Sequence, residues 1–432
     1  MIPIEIMQTT KSLKIPEVTL AVFLIILLSA SCNNKKPAQG TDETAVLPYP
    51  HVIDMNEGFS NPSEIKLSEI ADSIRYVVLS KDKQELIGDI SKIQISDDYI
   101  YLKSSSDGLV KRFNMNGKFL NSFGNSGRGP KEYLPGSVFT TTVNDDKIII
   151  FRSAMDSYLV FEPNGNYVET VDFPVSRTMF DFRSLSDSAF LCTFFYIGSI
   201  MKDNISNPFN CSAGIFDYYG NPVKMIEHPL KNADISKSDA RNMVSMAPSI
   251  TFFDNRIVLM PDGDTIYEND SKSIFPGYVI NWGNLAHNQS NEDFFFIQSG
   301  PSDKASVWSL ILETRDRTFF RVTRGTKYYI FEYNKISGST RSMAIDRDKG
   351  FINDLDGGDS FFPYYTNRTG NIWIIEEDAF SFKDKNSPES LHKSEAAYPE
   401  MKEKLITFEE NLKQDDNPVL KIVYLKKRTI QK

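Results

Sequence analysis

The residues best suited to binding chemistry lie in a glycine-rich stretch and in an aromatic segment of this 432-residue chain. The glycine-rich stretch, residues 124–133, has three glycines and a proline, which predict a tight loop that presents Arg128, Lys131 and Glu132. No Gly-Lys-Ser/Thr sequence follows and no helical pattern begins there, which excludes a phosphate-binding loop. The loop is either a binding element or a connector whose glycines serve only the turn.

The aromatic segment, residues 361–365, ends in Tyr364 and Tyr365 and is followed by Arg368 and Trp373. Aromatic rings beside an arginine can stack on a sugar or on a peptide side chain. In a β-rich protein the same rings are also ordinary core material. Tyr364, Tyr365 and Arg368 therefore form a second set of candidate binding residues.

The sequence gives less support for metal binding or catalysis than for ligand binding. Residues 354–360 carry three carboxylates that resemble a calcium loop, but the spacing is not that of an EF-hand and no glutamate stands at the twelfth position. We expect a solvated turn there, with Ca²⁺ as the one cofactor left open. Neither Gly-x-Ser-x-Gly nor His-Glu-x-x-His occurs, and the histidines are scattered at 51, 228, 287 and 392. The sequence favours a non-enzyme.

The element that must position these residues is a repeat. Asp97-Asp98 recurs 48 residues later as Asp145-Asp146, and Asn116-Gly117 recurs at the same offset as Asn164-Gly165. Each copy has four β-rich runs, with the Asp-Asp pair at the first turn and Asn-Gly at the last. Asn-Gly supplies the positive φ of a tight hairpin. Four strands in about 48 residues are typical of a propeller blade.

The remaining chain accommodates six such blades. The first is predicted over about residues 88–134 and the second over 135–174. The third takes residues 187–191 as its inner strand, the fourth includes residues 250–259, 264–267 and 276–280, and the fifth covers about 294–341. The last runs from 350 to the C-terminus. We predict that it is completed by an N-terminal strand within residues 65–79, which pairs with residues 418–425 and removes the open edges.

One segment has a helical period instead. Met401, Leu405, Phe408 and Leu412 recur at helical spacing within residues 398–413, and Pro399 suits a first helical turn. The sequence predicts a single amphipathic helix inserted in the last blade.

The first 32 residues differ from the rest. Two lysines precede an apolar run, residues 18–28, which is short for a membrane span and is followed by Ser-Ala-Ser and Cys32. This pattern predicts a lipoprotein signal peptide with Cys32 as the lipidated residue, the alternative being an uncleaved anchor. Residues 33–62 are polar and predict a flexible tether, so the propeller is expected over residues 63–432.

Two further cysteines, Cys192 and Cys211, lie on neighbouring β-rich runs. An exported protein could join them in a disulfide if the runs are hairpin partners, or keep them as buried thiols. The formal net charge of −9 and the lack of a basic stripe exclude nucleic acid as a partner.

The signal peptide, residues 124–133, residues 264–267 and residues 415–420 together resemble the six-bladed β-propeller lipoproteins of Bacteroidetes, which are related to NHL-repeat and TolB-type propellers. The resemblance covers about residues 60–430. It departs from the family pattern at Lys131, where a glycine usually follows Gly-Arg-Gly-Pro. The resemblance implies an all-β six-bladed propeller and carries no settled activity.

These observations predict a membrane-anchored exported binding module. It is expected in the outer membrane, facing the periplasm, because no acidic residue follows Cys32 before Asp42. Its partner would be a glycan or peptide ligand, or an outer-membrane or periplasmic protein. The alternative is an exported lyase or hydrolase that acts on carbohydrate or peptide with residues at a channel mouth.

Overall fold

The structure is a computed structural model. It describes residues 49–80, 87–153, 155–175, 179–194, 196–197, 211–227, 244–245, 249–260, 264–270, 272–287, 304–307 and 311–426. The predicted signal peptide, Cys32, most of the predicted tether and His228 lie outside these residues. In the described ranges, no helix is long and apolar enough to cross a membrane.

Six β-sheets form the blades of a propeller, as predicted. The chain starts with β1 (His51–Asp54), α1 (Met55–Ser60), a 3-10 helix (Leu67–Glu69) and β2 (Ala71–Val78). Blade 1 contains β3 (Ile90–Ile95), β4 (Tyr99–Ser104), β5 (Val110–Asn114) and β6 (Phe119–Phe123). A small parallel pair, β7 (Asn125–Ser126) and β8 (Glu132–Tyr133), leads to blade 2, which contains β9 (Val138–Thr141), β10 (Ile148–Arg152), β11 (Ser157–Phe161) and β12 (Tyr167–Asp172).

The middle blades follow the same order from the channel outwards. Blade 3 has β13 (Met179–Ser186), β14 (Ala189–Phe194), β16 (Cys211–Asp217) and β17 (Pro222–Glu227), and β15 (Tyr196–Ile197) pairs separately with β18 (Val244–Ser245). Blade 4 has β19 (Ser249–Phe253), β20 (Arg256–Met260), β21 (Thr265–Asn269) and β22 (Ile274–Asn281). Blade 5 has β23 (Ala305–Val307), β24 (Leu312–Glu313), β25 (Arg317–Arg324), β26 (Lys327–Asn334) and β27 (Thr340–Ile345).

Blade 6 pairs the early strand β2 with the C-terminal strand of the described chain, as the sequence predicts. It contains β28 (Tyr365–Thr366), β29 (Ile372–Glu377), β30 (Val419–Leu425) and, outermost, β2. The N-terminal strand β2 runs antiparallel to β30 and places Ile74 opposite Val423. Their side chains join a core cluster with Trp373 and Phe319, so closure also buries apolar surface between blades 5 and 6.

The two clear repeats form the turns that the sequence predicts. The Asp-Asp pairs follow the inner strands β3 and β9, and the Asn-Gly pairs connect the two outer strands of blades 1 and 2. Gly117 and Gly165 have φ values of 78° and 93°. A side chain rarely adopts this conformation, which explains the glycines.

The predicted helix is confirmed as α4 (Pro399–Asn411). Two short helices that the sequence analysis missed, α2 (Ala379–Lys385) and α3 (Pro388–Lys393), precede it between β29 and β30. Leu405 and Leu412 are buried against Phe382 and Leu391, while Met401 and Phe408 are half-buried. The three helices therefore pack as one group on blade 6.

Two predicted boundaries differ from the structure. Residues 51–60, assigned to the tether, instead belong to the propeller, because β1 adds to blade 4 parallel to β22 and buries Ile53 and Met55. In blade 3 the inner strand is β13, not residues 187–191. Asp187 lies in the turn after β13, and the residues that follow it start the second strand.

Cys192 and Cys211 are buried thiols that are not joined to each other. The strands β14 and β16 are hairpin partners, as the disulfide alternative requires, but their register places Gly214 opposite Cys192. Burial raises the pKa of Cys192 well above its ordinary value and that of Cys211 to about 12. Both sulfurs pack in the apolar cluster between blades 2 and 3.

Candidate functional site

The inner strands of the blades end at one mouth of the channel, and the turns that follow them surround a pocket. The turns of blades 1, 2, 4 and 6 line a volume of about 340 Å³, which we call the turn-side pocket. It is lined by residues 94–99, 141, 143–145, 252, 255 and 366–369. Four blades contribute, so only the closed propeller forms this pocket.

Arg368 lies at the base of the turn-side pocket and links several blades. Its guanidinium donates to the carbonyl oxygen of Ser184 in blade 3 at 2.9 Å and to that of Thr141 in blade 2 at 3.4 Å. It also lies over the ring of Phe252 in blade 4, 4.9 Å from the ring centre. Burial lowers the pKa of Arg368 to about 10, which leaves the side chain charged at neutral pH.

Asp145 is the carboxylate that faces this arginine. It lies in the β9–β10 turn with a backbone φ of 54°, and Thr141 and Ser96 donate hydrogen bonds to its carboxylate. Burial raises the pKa of Asp145, while those hydrogen bonds and the charge of Arg368 oppose the increase. Aspartate tolerates positive φ better than most residues, which fits its place in this turn.

The rim of the turn-side pocket is acidic. Asp97, Asp98 and Asn144 are exposed at the turns of blades 1 and 2, and Asn255 is exposed at the turn of blade 4. The rim therefore offers carboxylate and amide oxygens around one half-buried arginine. Such a surface suits a ligand with hydrogen-bond donors or positive charge.

Below the pocket, the channel contains a buried ionic group. Asp181 on β13 accepts from Arg183 at 2.6 Å and from Lys92 on β3, so the pairing spans blades 1 and 3. Burial, together with the charge of Arg183, lowers the pKa of Lys92 to about 7. Ionisable side chains with pKa values moved towards neutrality are characteristic of functional sites, and ion-pair networks that serve structure show them too.

A second pocket of about 410 Å³ lies at the other mouth. It includes the start of β3 and the end of β29, whereas the turn-side pocket includes the end of β3. Tyr364 is exposed there, and Glu376 has one carboxylate oxygen buried without a hydrogen-bond partner. Burial raises the pKa of Glu376 to about 7.

The structure does not bring the six predicted binding residues together. Arg368 lies at the turn-side pocket and Tyr364 at the opposite mouth, while Tyr365 is half-buried beside the channel. Burial also raises the pKa of Tyr365. The other aromatic residues of that segment, Phe361 and Phe362, are core residues with Trp373.

The glycine-rich loop is held by its own side chains. Glu132 accepts from the backbone N–H of Gly129 at 2.8 Å, and the Lys131 ammonium lies 4.5 Å from the centre of the Tyr167 ring. Arg128 is exposed. The loop precedes β9, whereas the turn-side pocket uses the residues that follow β9, so the two lie at opposite ends of that strand.

The three carboxylates of residues 354–360 have separate protein partners. Asp354 accepts from Ser68, Asp356 from the hydroxyl of Tyr76 at 2.8 Å, and Asp359 pairs with Lys349 at 2.7 Å. In the described part of the chain, no group of three or more His, Cys, Asp or Glu side chains is arranged to hold a metal ion.

The sequence analysis missed Asp97 and Asp145 as site residues, although it used both as landmarks of the repeat. The signal that could have identified them is that both aspartates recur in the turn that follows the inner strand of a blade. A turn that recurs at this position in successive blades must surround the channel mouth, where propellers bind ligands.

The fold and the site geometry define the class of protein as a six-bladed β-propeller with a polar pocket at one channel mouth. Residues 50–424 match the family model described as "Domain of unknown function (DUF4934)", and the chain belongs to this family.

Among solved structures, a protein from Bacteroides fragilis that is provisionally described as exported has a TM-score of 0.64 and 18% identity, with 87% of this chain and 99% of that chain covered. A member of the DUF4221 family from Bacteroides vulgatus has a TM-score of 0.46 and 12% identity, over 83% of this chain and 98% of that chain. At 18% identity the first similarity supports the fold. No curated protein matches the sequence.

Proposed function

We propose that this protein is an exported, membrane-tethered binding module that recognises its partner at the turn-side pocket. The observation that carries the proposal is the pocket itself, where turns of four blades place exposed aspartates around the half-buried Arg368. The partner would be a segment of another protein or peptide that carries a positive charge. A lysine or arginine side chain would enter between Asp97 and Asp145, with backbone amides on the rim oxygens.

Export and anchoring rest on the N-terminal sequence. The residues before Cys32 have the order of a lipoprotein signal, and the similar B. fragilis structure is provisionally described as exported. We propose lipidation at Cys32 and attachment to the outer membrane on the periplasmic side. The proposal is consistent with the lipoprotein family that the sequence resembles.

Binding is tested with purified full-length protein and labelled tetralysine and tetraglutamate peptides, by fluorescence anisotropy. We expect saturable binding of tetralysine, weakened about two- to fivefold by Asp97→Asn, because exposed ion pairs contribute about 0.5–1 kcal/mol. Asp187→Asn is the matched control, since Asp187 is an exposed aspartate in the corresponding turn of blade 3 but does not line the pocket. An equal effect of both substitutions would show non-specific attraction and refute the site.

Anchoring is tested separately by Cys32→Ser in cells. The wild-type protein should sediment with membranes and resist protease added to intact cells, and the variant should become soluble after lysis. A Cys32→Ser protein that still sediments would instead support an uncleaved anchor.

A further inference from the structure

A third pocket lies between blades 4 and 5, beside the turn-side pocket. Its volume is about 430 Å³, within the range of small-molecule sites. Tyr49 and His51, immediately before and on β1, form one wall, and the turns after β19 and β24 form the rim. We call it the blade 4–5 cavity. The two pockets share Thr369 alone among their lining residues.

Two buried glutamates face this cavity. Glu268 is 1% exposed and accepts from the Tyr49 hydroxyl at 3.0 Å and from Arg256. Glu313 is 2% exposed and accepts on Oε1 from the Tyr278 hydroxyl at 2.5 Å and from Lys335. Burial of two ionised carboxylates is costly, and the two basic side chains offset that cost.

The cavity nevertheless retains unused hydrogen-bonding capacity. Oε2 of Glu313 and Nδ1 of His51 are both buried and have no hydrogen-bond partner. Buried polar atoms are normally paired, so each such atom in a cavity wall indicates a group that comes from a ligand or from water. The carboxylate oxygen requires a donor. Burial and the charge of Lys335 lower the pKa of His51, so the imidazole is neutral at neutral pH and can donate or accept.

The charge of the lining residues restricts the ligand. Three carboxylates, of Glu268, Glu313 and Asp254, face three cations, of Arg256, Arg315 and Lys335. A ligand with net charge would have no counter-charge in this balanced cavity, which favours a neutral ligand. An ammonium group needs three acceptors, whereas a hydroxyl needs one and can also accept from Lys335 or His51.

Tyr49 supplies the exposed aromatic ring of the wall. This residue is 53% exposed, whereas Tyr278 is 1% exposed and the Lys335 ammonium lies over the Phe253 ring, 4.6 Å from its centre. Aromatic faces with one polar end suit a ligand that is apolar on one face and polar around its edge. A pyranose ring has this shape and carries several hydroxyl groups.

We propose that the blade 4–5 cavity binds a neutral sugar unit, with a hydroxyl donating to Oε2 of Glu313 and a second one bonded to Nδ1 of His51. This assignment is independent of the proposal that the turn-side pocket recognises a partner.

The test uses purified full-length protein, titrated in a calorimeter with neutral monosaccharides and disaccharides: glucose, galactose, mannose, xylose, N-acetylglucosamine, maltose and cellobiose. Free glycine, lysine and glutamate serve as charged and zwitterionic probes. We expect saturable binding of at least one sugar and none of the amino acids. Glu313→Gln should weaken sugar binding about tenfold or more, because it replaces a charge-assisted hydrogen bond.

Glu332→Gln is the matched control for the loss of a buried ion pair. Glu332 is a 4% exposed glutamate in the same blade, pairs with Arg341 at 2.6 Å and does not line the cavity. A second variant, His51→Phe, keeps the ring packing and removes Nδ1, so it should weaken binding if the protein remains folded. Folding of each variant is checked by its melting temperature.

The assignment would be overturned by the absence of saturable binding across the sugar panel, by equal weakening from Glu313→Gln and Glu332→Gln, or by binding of the amino acids in place of sugars. Sugar binding that is lost in Asp97→Asn and retained in Glu313→Gln would place the sugar at the turn-side pocket and also refute this site. The turn-side proposal is tested by tetralysine binding and the blade 4–5 proposal by sugar binding. One proposal can therefore be refuted while the other holds.

Discussion

At the scale of single residues, Glu376 is a half-buried carboxyl group with a raised pKa. One of its oxygens is buried without a partner, and burial raises its pKa from 4.5 to about 7. Between these two pH values the folded protein holds a proton that the unfolded chain has released. The contribution of this residue to the free energy of unfolding is therefore greatest below pH 4.5. It decreases as the pH rises and is lost above about pH 7.

Glu376→Gln should remove this dependence, because glutamine is neutral at every pH. Relative to wild type, we expect the variant to gain stability as the pH increases from 4.5 to 7. The gain should reach about 1–3 kcal/mol and stay level above that range. Urea unfolding at a series of pH values measures it.

The control for this titration is Glu410→Gln, because Glu410 is exposed on α4. Its stability difference from wild type should be small and independent of pH. A Glu376→Gln difference that is also flat with pH would show that the carboxyl has an ordinary pKa in the folded protein.

Residue types alone indicated part of the candidate site. Arg368 was identified from its aromatic neighbours, yet its partners are carbonyls from residues 141 and 184, which no local pattern connects to it. Glu268 and Glu313 had no distinguishing signal, because they meet only when blades 4 and 5 pack. Sequence patterns report neighbours along a strand, whereas these sites arise between blades.

At the scale of elements, the two Asn-Gly turns are alike in sequence but differ in surroundings. A Cβ on Gly117 would lie 2.3 Å from the carbonyl oxygen of Val78 at the end of β2, while a Cβ on Gly165 would meet nothing nearer than 3.0 Å. Both glycines have positive φ, so both substitutions carry a similar strain in the turn. The difference in destabilisation between the two substitutions therefore measures the contact of the Gly117 turn with β2.

We therefore expect Gly117→Ala to destabilise the protein by about 1–2 kcal/mol more than Gly165→Ala, because the turn must move away from β2. Chemical denaturation of the two variants under one condition measures the difference. Equal destabilisation would mean that the turn and β2 separate without cost, and would count against their close packing.

The same elements show what could be read from the sequence. The strands of blades 1 and 2 were predictable because alternating residues and turn signals are local. The inner strand of blade 3 was misassigned, because Asp187 was taken as a strand residue when it lies in the turn after β13. The strand β1 was missed because its partner β22 is more than 220 residues away and a short parallel pairing leaves little pattern.

At the scale of the whole molecule, the propeller depends on β30. This strand lies between β29 and β2 and supplies the strand pairing that joins the N-terminal and C-terminal parts of the chain in blade 6. Without it, β2 would lose its partner and β29 would expose an open edge. The turn-side pocket would also lose its frame, because Arg368 and Thr369 belong to the turn that connects β28 to β29.

A chain that ends at Pro418 should therefore fail to close, whereas one that ends at Lys426 keeps β30 and should behave as the full-length protein. We expect the shorter chain to aggregate through its open edges, since unpaired strands recruit other chains. Size-exclusion chromatography with light scattering distinguishes the two. If the chain ending at Pro418 were monomeric and cooperatively folded, an intact blade 6 would not be needed for closure. The turn-side pocket would then not depend on a ring of six complete blades.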